Sequence, residues 1–187
     1  MRELALHILD LVQNSIEAGA STVRLEIIED REKDTLTIRV ADNGRGMDAE
    51  TKRRVLDPFV TTRTTRRVGL GLPLIDMSTK RCGGHLLITS AVGQGTVVEA
   101  EYRHSHLDRP PLGNVVETVK AIIVANPELD FHYVHRVDGA VFTVSTRSIV
   151  SELGDMPLSH PDVILWLHEF LSYNLANLYG GVQHENN

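Results

Sequence analysis

The sequence has one cysteine, no long apolar run and no excess of basic residues. Cys82 has no partner for a disulfide within the chain, which suits the reducing cytosol. No segment approaches the ~20 apolar residues of a membrane span, and the N-terminal segment carries acidic and amide residues that a signal peptide's apolar region lacks. With 19 basic and 25 acidic residues, the net charge is −6 with neutral histidine. We therefore expect a cytoplasmic protein that binds neither nucleic acid nor a membrane.

What is present is the composition of a globular protein. The residues are 42% apolar and 24% charged. A length of 187 residues is enough to bury a hydrophobic core and fits one domain, with or without a smaller additional unit. Composition shifts at His104–Gly113, which contains Pro110 and Pro111. We therefore predict a first domain over residues 1–104 and a small accessory unit over residues 105–187.

Periodicity and turn residues predict a mixture of helices and strands. The first domain is predicted to contain a helix over 3–18, strands over Thr22–Glu29 and Thr35–Asp42, helices over Asp48–Leu56 and Leu70–Cys82, and strands over His85–Ser90 and Thr96–Tyr102. Residues 59–68 have no clear period and are expected to form a loop. The second unit is predicted to contain a helix from Asn114 to Ala125, a hairpin of Phe131–Val137 and Ala140–Ser145, a helix near Ser148–Leu153 and a last helix capped by Ser159.

The last helix, Pro161–Leu178, is apolar on too much of its circumference for a free surface helix. The apolar residues on it are Val163, Ile164, Leu165, Trp166, Leu167, Phe170, Leu171 and Leu175. The helix is either buried within this chain or part of an interface with a partner. We expect a role in docking or dimerisation.

A polar stripe runs along the first helix. At ~100° per residue, His7, Asp10, Asn14 and Glu17 fall within an arc of roughly 80°. The stripe is either a functional face or plain solvated surface, and taken alone the second explanation is the commoner one.

A carboxylate ends the second strand on its core side. Asp42 continues, by the two-residue period of a strand, the face that Leu36, Ile38 and Val40 occupy. Gly44 and Gly46, which follow it, allow the backbone to approach a ligand closely. A tight turn with a capping aspartate would explain the same residues without a ligand.

Two glycine-containing turns complete the candidate site. Gly69 and Gly71 lie where a loop enters a helix, and free backbone N–H groups at a helix start favour anions. Thr96 follows Gly93 and Gly95 and places its hydroxyl on the inner face of the next strand. Each turn alone is weak evidence, since ordinary loops and hairpins contain such glycines.

In this order and spacing, these segments resemble the nucleotide-binding domain of the GHKL superfamily, the Bergerat fold of histidine kinases, gyrase, mismatch-repair proteins and heat-shock chaperones. The resemblance covers residues 3–103. The matching segments are 10–20 (N box), Asp42-x-Gly44-x-Gly46 (G1 box), Asp57-Pro58-Phe59 with Thr61-Thr62-Arg63 (F box), Gly69-Leu70-Gly71-Leu72 (G2 box), and 81–85 with 93–96. The resemblance implies an α+β fold, a two-layer sandwich whose mixed sheet is covered on one face by helices, followed by a small α-β-β-α-α unit.

The resemblance also implies ATP and Mg²⁺ as cofactors. It assigns Mg²⁺ to the side-chain oxygen of Asn14 and the adenine amino group to Asp42. It places Gly46 and Met47 along the base pocket and Thr96 beneath the adenine. Asp10 occupies the position where hydrolysing members carry a glutamate that orients water. The remaining assignments are phosphate binding by Gly69, Leu70 and Gly71, and a lid over Thr61–Arg67 from which Arg63, Arg66 or Arg67 reaches the γ-phosphate.

The resemblance leaves the activity open. No phosphoacceptor helix pair precedes the N box, and His168-Glu169 lacks the proline of an acceptor motif. We therefore expect a stand-alone bacterial member, either a kinase that phosphorylates a separate protein or a slow ATPase that controls a partner. The alternative is a non-catalytic nucleotide-sensing module whose lid closure switches a partner complex. The partner is unknown, and a homodimer through the C-terminal helix is one expectation.

Overall fold

The computed structural model describes residues 3–56 and 71–180. The elements in chain order are α1 (Leu4–Glu17), β1 (Thr22–Asp30), β2 (Thr35–Asp42), α2 (Ala49–Arg54), α3 (Gly71–Arg81), β3 (His85–Ser90), β4 (Thr96–Arg103), α4 (Val115–Ala125), β5 (Asp130–Val137), β6 (Ala140–Ser145), α5 (Thr146–Leu153) and α6 (Pro161–Leu178). The six strands form one sheet in the order β3-β4-β2-β1-β5-β6. Only the pair β1–β5 is parallel, so the sheet is mixed, as the predicted fold class requires.

The core lies between one face of this sheet and the helices. Buried residues of neighbouring strands stand opposite one another, as in the row Leu25–Val40–Val98. The same core includes Ile8 of α1 and Leu167 of α6, both fully buried. The predicted α+β fold, a two-layer sandwich with helices on one face, is confirmed.

The opposite face of the sheet carries charge. Glu26 of β1 is only 8% exposed there. It accepts hydrogen bonds from Arg24 (Nη2–Oε1, 3.0 Å) and Arg39 (Nη1–Oε2, 2.7 Å). Because these ion pairs satisfy the carboxylate, this face needs no helix to cover it.

The two predicted units share one sheet and one core. β5 and β6 extend the sheet that β1 to β4 begin, and Phe131 and Tyr133 of β5 belong to the same hydrophobic cluster as Leu4 of α1. The connecting segment is tied to α1, since Leu4 N–H donates to Pro111 O at 3.0 Å. The division into a domain over residues 1–104 and a unit over residues 105–187 therefore stays a prediction.

Local sequence signals explain most element ends. Asn114 caps α4, since its side chain accepts a hydrogen bond from the Glu117 N–H at 3.1 Å. The predicted cap of α6 was wrong, because His160 and not Ser159 is the N-cap, and the His160 side chain accepts from the Asp162 N–H. Pro161 is the first helical residue, and a residue before proline adopts the extended backbone that an N-cap needs.

The last helix is buried on one side only. A stripe at helical spacing faces the core and consists of Val163, Leu167, Leu171 and Leu175. Trp166 and Tyr173, by contrast, are 40% and 63% exposed. Burial within the chain therefore accounts for part of the apolar surface of this helix and leaves the rest in solvent.

Candidate functional site

Three polar side chains stand in one cross-strand row at an end of the sheet. Asp42 on β2 lies opposite Thr96 on β4, and Thr96 lies opposite Ser90 on β3. All three continue the buried face of their strands, so they border the helical layer. β2 and β3 end here and β4 begins here, so the loops at this end of the sheet approach one another.

The carboxylate of Asp42 is oriented by three hydrogen bonds from separate segments. Ser15 Oγ donates to Oδ2 at 2.8 Å, and the Gly44 and Thr96 N–H groups donate to Oδ1 at 2.9 and 3.2 Å. Oδ2 therefore accepts one of these bonds and Oδ1 accepts two. A carboxylate oxygen has two lone pairs, so Oδ2 keeps acceptor capacity toward a further donor.

The glycine loops around Asp42 pack backbone against backbone. Gly46 has φ +66°, and a Cβ there would lie 1.9 Å from the Ala91 carbonyl oxygen. Gly95 has φ +78°, and a Cβ there would lie 1.9 Å from the Asp42 carbonyl oxygen. Only glycine fits either position, so these residues are explained by close approach within the protein as well as by the predicted approach to a ligand.

Ser90 links the two loops. It accepts a hydrogen bond from the Met47 N–H at 2.9 Å, and its Oγ lies 2.8 Å from the Gly95 carbonyl oxygen and 2.9 Å from Thr96 Oγ1. The Ser90 hydroxyl therefore contacts both Met47 and Thr96. Both are half-buried.

The first helix and the start of α3 meet at Asp10. A Cβ at Gly71 would lie 3.4 Å from Asp10 Cβ and 3.7 Å from its Oδ2, so the two segments are in close contact. Asp10 and Asn14 are both exposed, while His7 on the same stripe is 7% exposed. Among residues 3–56 and 71–180, no group forms a hydrogen bond with the Asn14 amide side chain.

Of the predicted site residues, Asp42, Gly44, Gly46, Met47 and Thr96 come together at the row. Asp10, Asn14 and Gly71 form a neighbouring group, with Leu72 half-buried against the core. Arg63, Gly69 and Leu70 lie outside the described residues, as do the F-box segment from Asp57 onward and the predicted lid.

Sequence reasoning missed two members of the site, Ser15 and Ser90. Ser15 is 3% exposed and lies one turn after Leu11 on the apolar face of α1. A hydroxyl on a buried helix face needs a partner, and this was a usable signal. Ser90 continues the inner face of Leu86 and Ile88, so the period of β3 could have placed it beside Thr96.

His104 and His135 both contact the carboxylate of Glu29. His135 Nε2 and His104 Nε2 lie 3.0 Å from Oε1 and Oε2 of Glu29, and the Tyr179 hydroxyl donates to Oε1. Burial of Glu29 raises its pKa, but hydrogen bonds from these three side chains outweigh that effect and lower the pKa to about 2. Within the described ranges, no group of three or more His, Cys, Asp or Glu residues is arranged to hold a metal ion.

The sequence profile of the histidine kinase-, DNA gyrase B-, and HSP90-like ATPase family matches residues 2–106, more than half of the chain. The chain belongs to this ATPase family. Residues 2–106 are therefore a histidine-kinase-like ATP-binding domain.

Sensor kinases are among the relatives of this ATPase family member. The sensor protein kinase FleS of Pseudomonas aeruginosa is 43% identical over 58 residues, which cover 31% of this chain and 14% of FleS. The C4-dicarboxylate transport sensor protein DctB of the same species is 31% identical over 93 residues, covering 48% of this chain and 15% of DctB. The chain thus spans about a seventh of the length of these curated relatives.

A likeness in fold extends beyond residue 106. The solved structure of the Aquifex aeolicus MutL ATPase domain complexed with ADP matches 95% of this chain and 68% of its own, with a TM-score of 0.50 and 19% sequence identity. At that identity the likeness concerns the fold.

None of the helices in the described part of the chain is both long and apolar enough to cross a membrane.

Proposed function

We propose that this chain binds Mg-ATP and acts as a protein kinase or regulatory ATPase that controls a partner protein. The observation that carries the proposal is the oriented carboxylate of Asp42. Three hydrogen bonds hold it at the strand end, and Oδ2 keeps acceptor capacity toward the helical layer. A donor such as the adenine amino group matches that capacity, whereas the carbonyl of guanine would repel it.

The base pocket is proposed to form around Asp42, Gly44, Gly46, Met47 and Thr96. The Gly44 N–H is already engaged with the Asp42 carboxylate, so its role is to position that group. The close packing at Gly46 holds the loop in place against the turn between β3 and β4. A rigid pocket loses less conformational entropy when it takes up a planar base.

Phosphates and Mg²⁺ are proposed to lie between α1 and the start of α3. Asn14 offers an exposed amide oxygen, and Mg²⁺ prefers oxygen ligands. α3 begins at Gly71, and the free N–H groups at a helix start attract phosphate. From the sequence, Gly69, Leu70 and Leu72 would share this role and Arg63 would reach the γ-phosphate. Bound Mg²⁺ would neutralise the bridged phosphate oxygens.

Asp10 is the proposed catalytic residue. Its carboxylate lies beside Gly71, and it is exposed and can therefore accept a proton from water or from a substrate hydroxyl. Aspartate is one methylene shorter than the glutamate of hydrolysing family members, which favours slow turnover. A chain with negligible turnover would instead be a nucleotide sensor whose state a partner reads.

Incubation with γ-labelled ATP and Mg²⁺, alone and with candidate partner proteins, tests the proposal. Label on a second protein indicates a kinase, and release of labelled phosphate indicates an ATPase. Asp10→Asn should abolish either signal while ATP binding remains. ATP binding without transfer or release in any mixture would reject the catalytic proposal in favour of the sensor, and absence of ATP binding would reject the proposed site.

A further inference from the structure

The hydroxyl of Ser15 is a buried donor on the core side of α1. Ser15 is 3% exposed, and its Oγ lies 2.8 Å from Asp42 Oδ2 and 3.3 Å from the Leu11 carbonyl oxygen. A hydroxyl has one proton to donate. A hydrogen bond to a carboxylate is stronger than one to a neutral carbonyl, and here it is also the shorter contact. The proton of Ser15 is therefore directed at Asp42 and not at its own helix.

The hydrogen bonds of Asp42 leave one acceptor position for a ligand. Each carboxylate oxygen has two lone pairs and can accept two hydrogen bonds. The Gly44 and Thr96 N–H groups occupy both positions on Oδ1, and Ser15 occupies one of the two on Oδ2. Within residues 3–56 and 71–180, no further group donates to this carboxylate. Asp42 is half-buried, so a ligand can reach the position that is left on Oδ2.

A single acceptor position suits adenine and not guanine. Adenine presents one amino group and no ring N–H beside it, so one acceptor satisfies it. Guanine presents a ring N–H next to an amino group, and an unrestrained carboxylate accepts both as two parallel bonds, one to each oxygen. Since both positions on Oδ1 are taken, Asp42 cannot form this pair without turning about its Cβ–Cγ bond. Ser15 opposes that rotation because it holds the other oxygen.

We propose that Ser15 is a positioning residue that makes the base site selective for adenine nucleotides over guanine nucleotides. The inference rests on the proposed function, in which Asp42 contacts the base, and Ser15 acts through Asp42. Selectivity then comes from the second bond that guanine is denied as well as from the bond that adenine forms. The preceding residue, Asn14, is exposed and carries the proposed metal contact, so α1 serves the base and the metal through adjacent side chains.

Separate titrations of ATP and of GTP into the full chain test the proposal, with Mg²⁺ present and heat measured by calorimetry. The parent should bind ATP more tightly than GTP. In Ser15→Ala, the ratio of the GTP to the ATP dissociation constant should fall about tenfold, because the carboxylate loses a charge-assisted hydrogen bond and can turn. Thr118→Val is the matched control. Thr118 is 6% exposed on α4, and its hydroxyl donates to the Asn114 carbonyl oxygen at 3.0 Å. This variant also loses a buried helix hydroxyl and should keep the parental ratio.

The effect of Mg²⁺ separates selectivity from a general loosening of α1. Ser15→Ala should keep the parental increase in ATP affinity on addition of Mg²⁺, whereas a loosened helix would also displace the neighbouring Asn14 and lower that increase. If Ser15→Ala does not fold, Ser15→Cys keeps a side chain of similar size with a weaker donor and should lower the ratio in the same direction.

The outcomes distinguish this proposal from the proposed function. An unchanged ratio in a folded Ser15 variant would overturn the role of Ser15, whatever happens to ATP affinity, and leave the ATP site standing. A ratio that falls together with the Mg²⁺ effect would do the same, as would a parent chain that binds ATP and GTP equally well. A parent chain that binds neither nucleotide would reject the proposed function and the role of Ser15 with it.

Discussion

Single side chains at the end of β2 decide how the proposed base pocket is built. Asp42→Asn replaces a carboxylate oxygen that accepts hydrogen bonds by an amide NH₂ that donates them. We expect ATP affinity to fall about tenfold or more, measured by isothermal titration calorimetry. Asp48→Asn is the control, because Asp48 caps α2 and asparagine caps equally well. Unchanged affinity in Asp42→Asn would exclude contact between Asp42 and the base.

Asn14 carries the proposed metal contact. Asn14→Ala should remove most of the increase in ATP affinity that Mg²⁺ produces, because a hard cation loses an oxygen ligand. ATP affinity is measured by titration in the presence of Mg²⁺ and again in excess chelator without Mg²⁺. Gln13→Ala is a matched control, since the Gln13 side chain donates to Glu17 at 3.3 Å. Equal Mg²⁺ dependence in both variants would contradict the role of Asn14.

Glu29 makes the free energy of unfolding depend on pH in the acidic range. Its pKa is lowered from 4.5 to about 2 in the folded protein, so the folded state favours the ionised form. This contribution is complete above pH 4.5 and is lost as the pH falls from 4.5 toward 2. Glu29→Gln should therefore reduce the acid-dependent loss of the free energy of unfolding by up to about 3 kcal/mol. Urea unfolding at several pH values measures this pH dependence. Glu152→Gln, at an exposed position, is the control and should behave like the parent.

At the scale of elements, glycine positions test the packing of the site loops. Gly95→Ala would place a Cβ 1.9 Å from the backbone oxygen of Asp42, at φ +78°. We expect a loss of about 1–3 kcal/mol in the free energy of unfolding and weaker ATP binding. Gly139→Ala meets nothing within 4 Å and should leave both unchanged. Thermal unfolding and ATP titration of the two variants give the comparison.

Element bounds were predictable where the responsible chemistry is local. The strands Thr35–Asp42, His85–Ser90 and Ala140–Ser145 were predicted at the observed residues, because alternation and turn residues are read along the chain. The N-cap of α6 was predicted wrongly. A histidine side chain is an uncommon hydrogen-bond acceptor at this position, so the prediction preferred Ser159 to His160. Ser15 was missed for a different reason. Its partner Asp42 is 27 residues away, and nothing local shows the contact.

At the scale of the whole molecule, the shared core couples the C-terminal segment to the ATP-binding domain. Truncation after residue 158 removes Leu167 and Leu171, both 0% exposed, and uncovers β5. We expect the shortened chain to lose cooperative unfolding and to become sensitive to protease, because apolar core surface is exposed. Thermal unfolding followed by circular dichroism tests this. A truncated chain with cooperative unfolding and full ATP binding would show instead that residues 1–158 fold on their own.

The sequence by itself determined the family, the order of the elements and the residue types of the site. These follow from periods and motifs that are written along one stretch of chain, and Asp42 with its glycines is such a motif. Only the tertiary structure decided that Ser15 belongs to the site, that β5 and β6 extend the same sheet, and that α6 leaves Trp166 and Tyr173 exposed. Each of these depends on pairing between residues far apart in sequence. The alternation of β5 is equally compatible with a separate hairpin, so its pattern alone does not name the strand beside it.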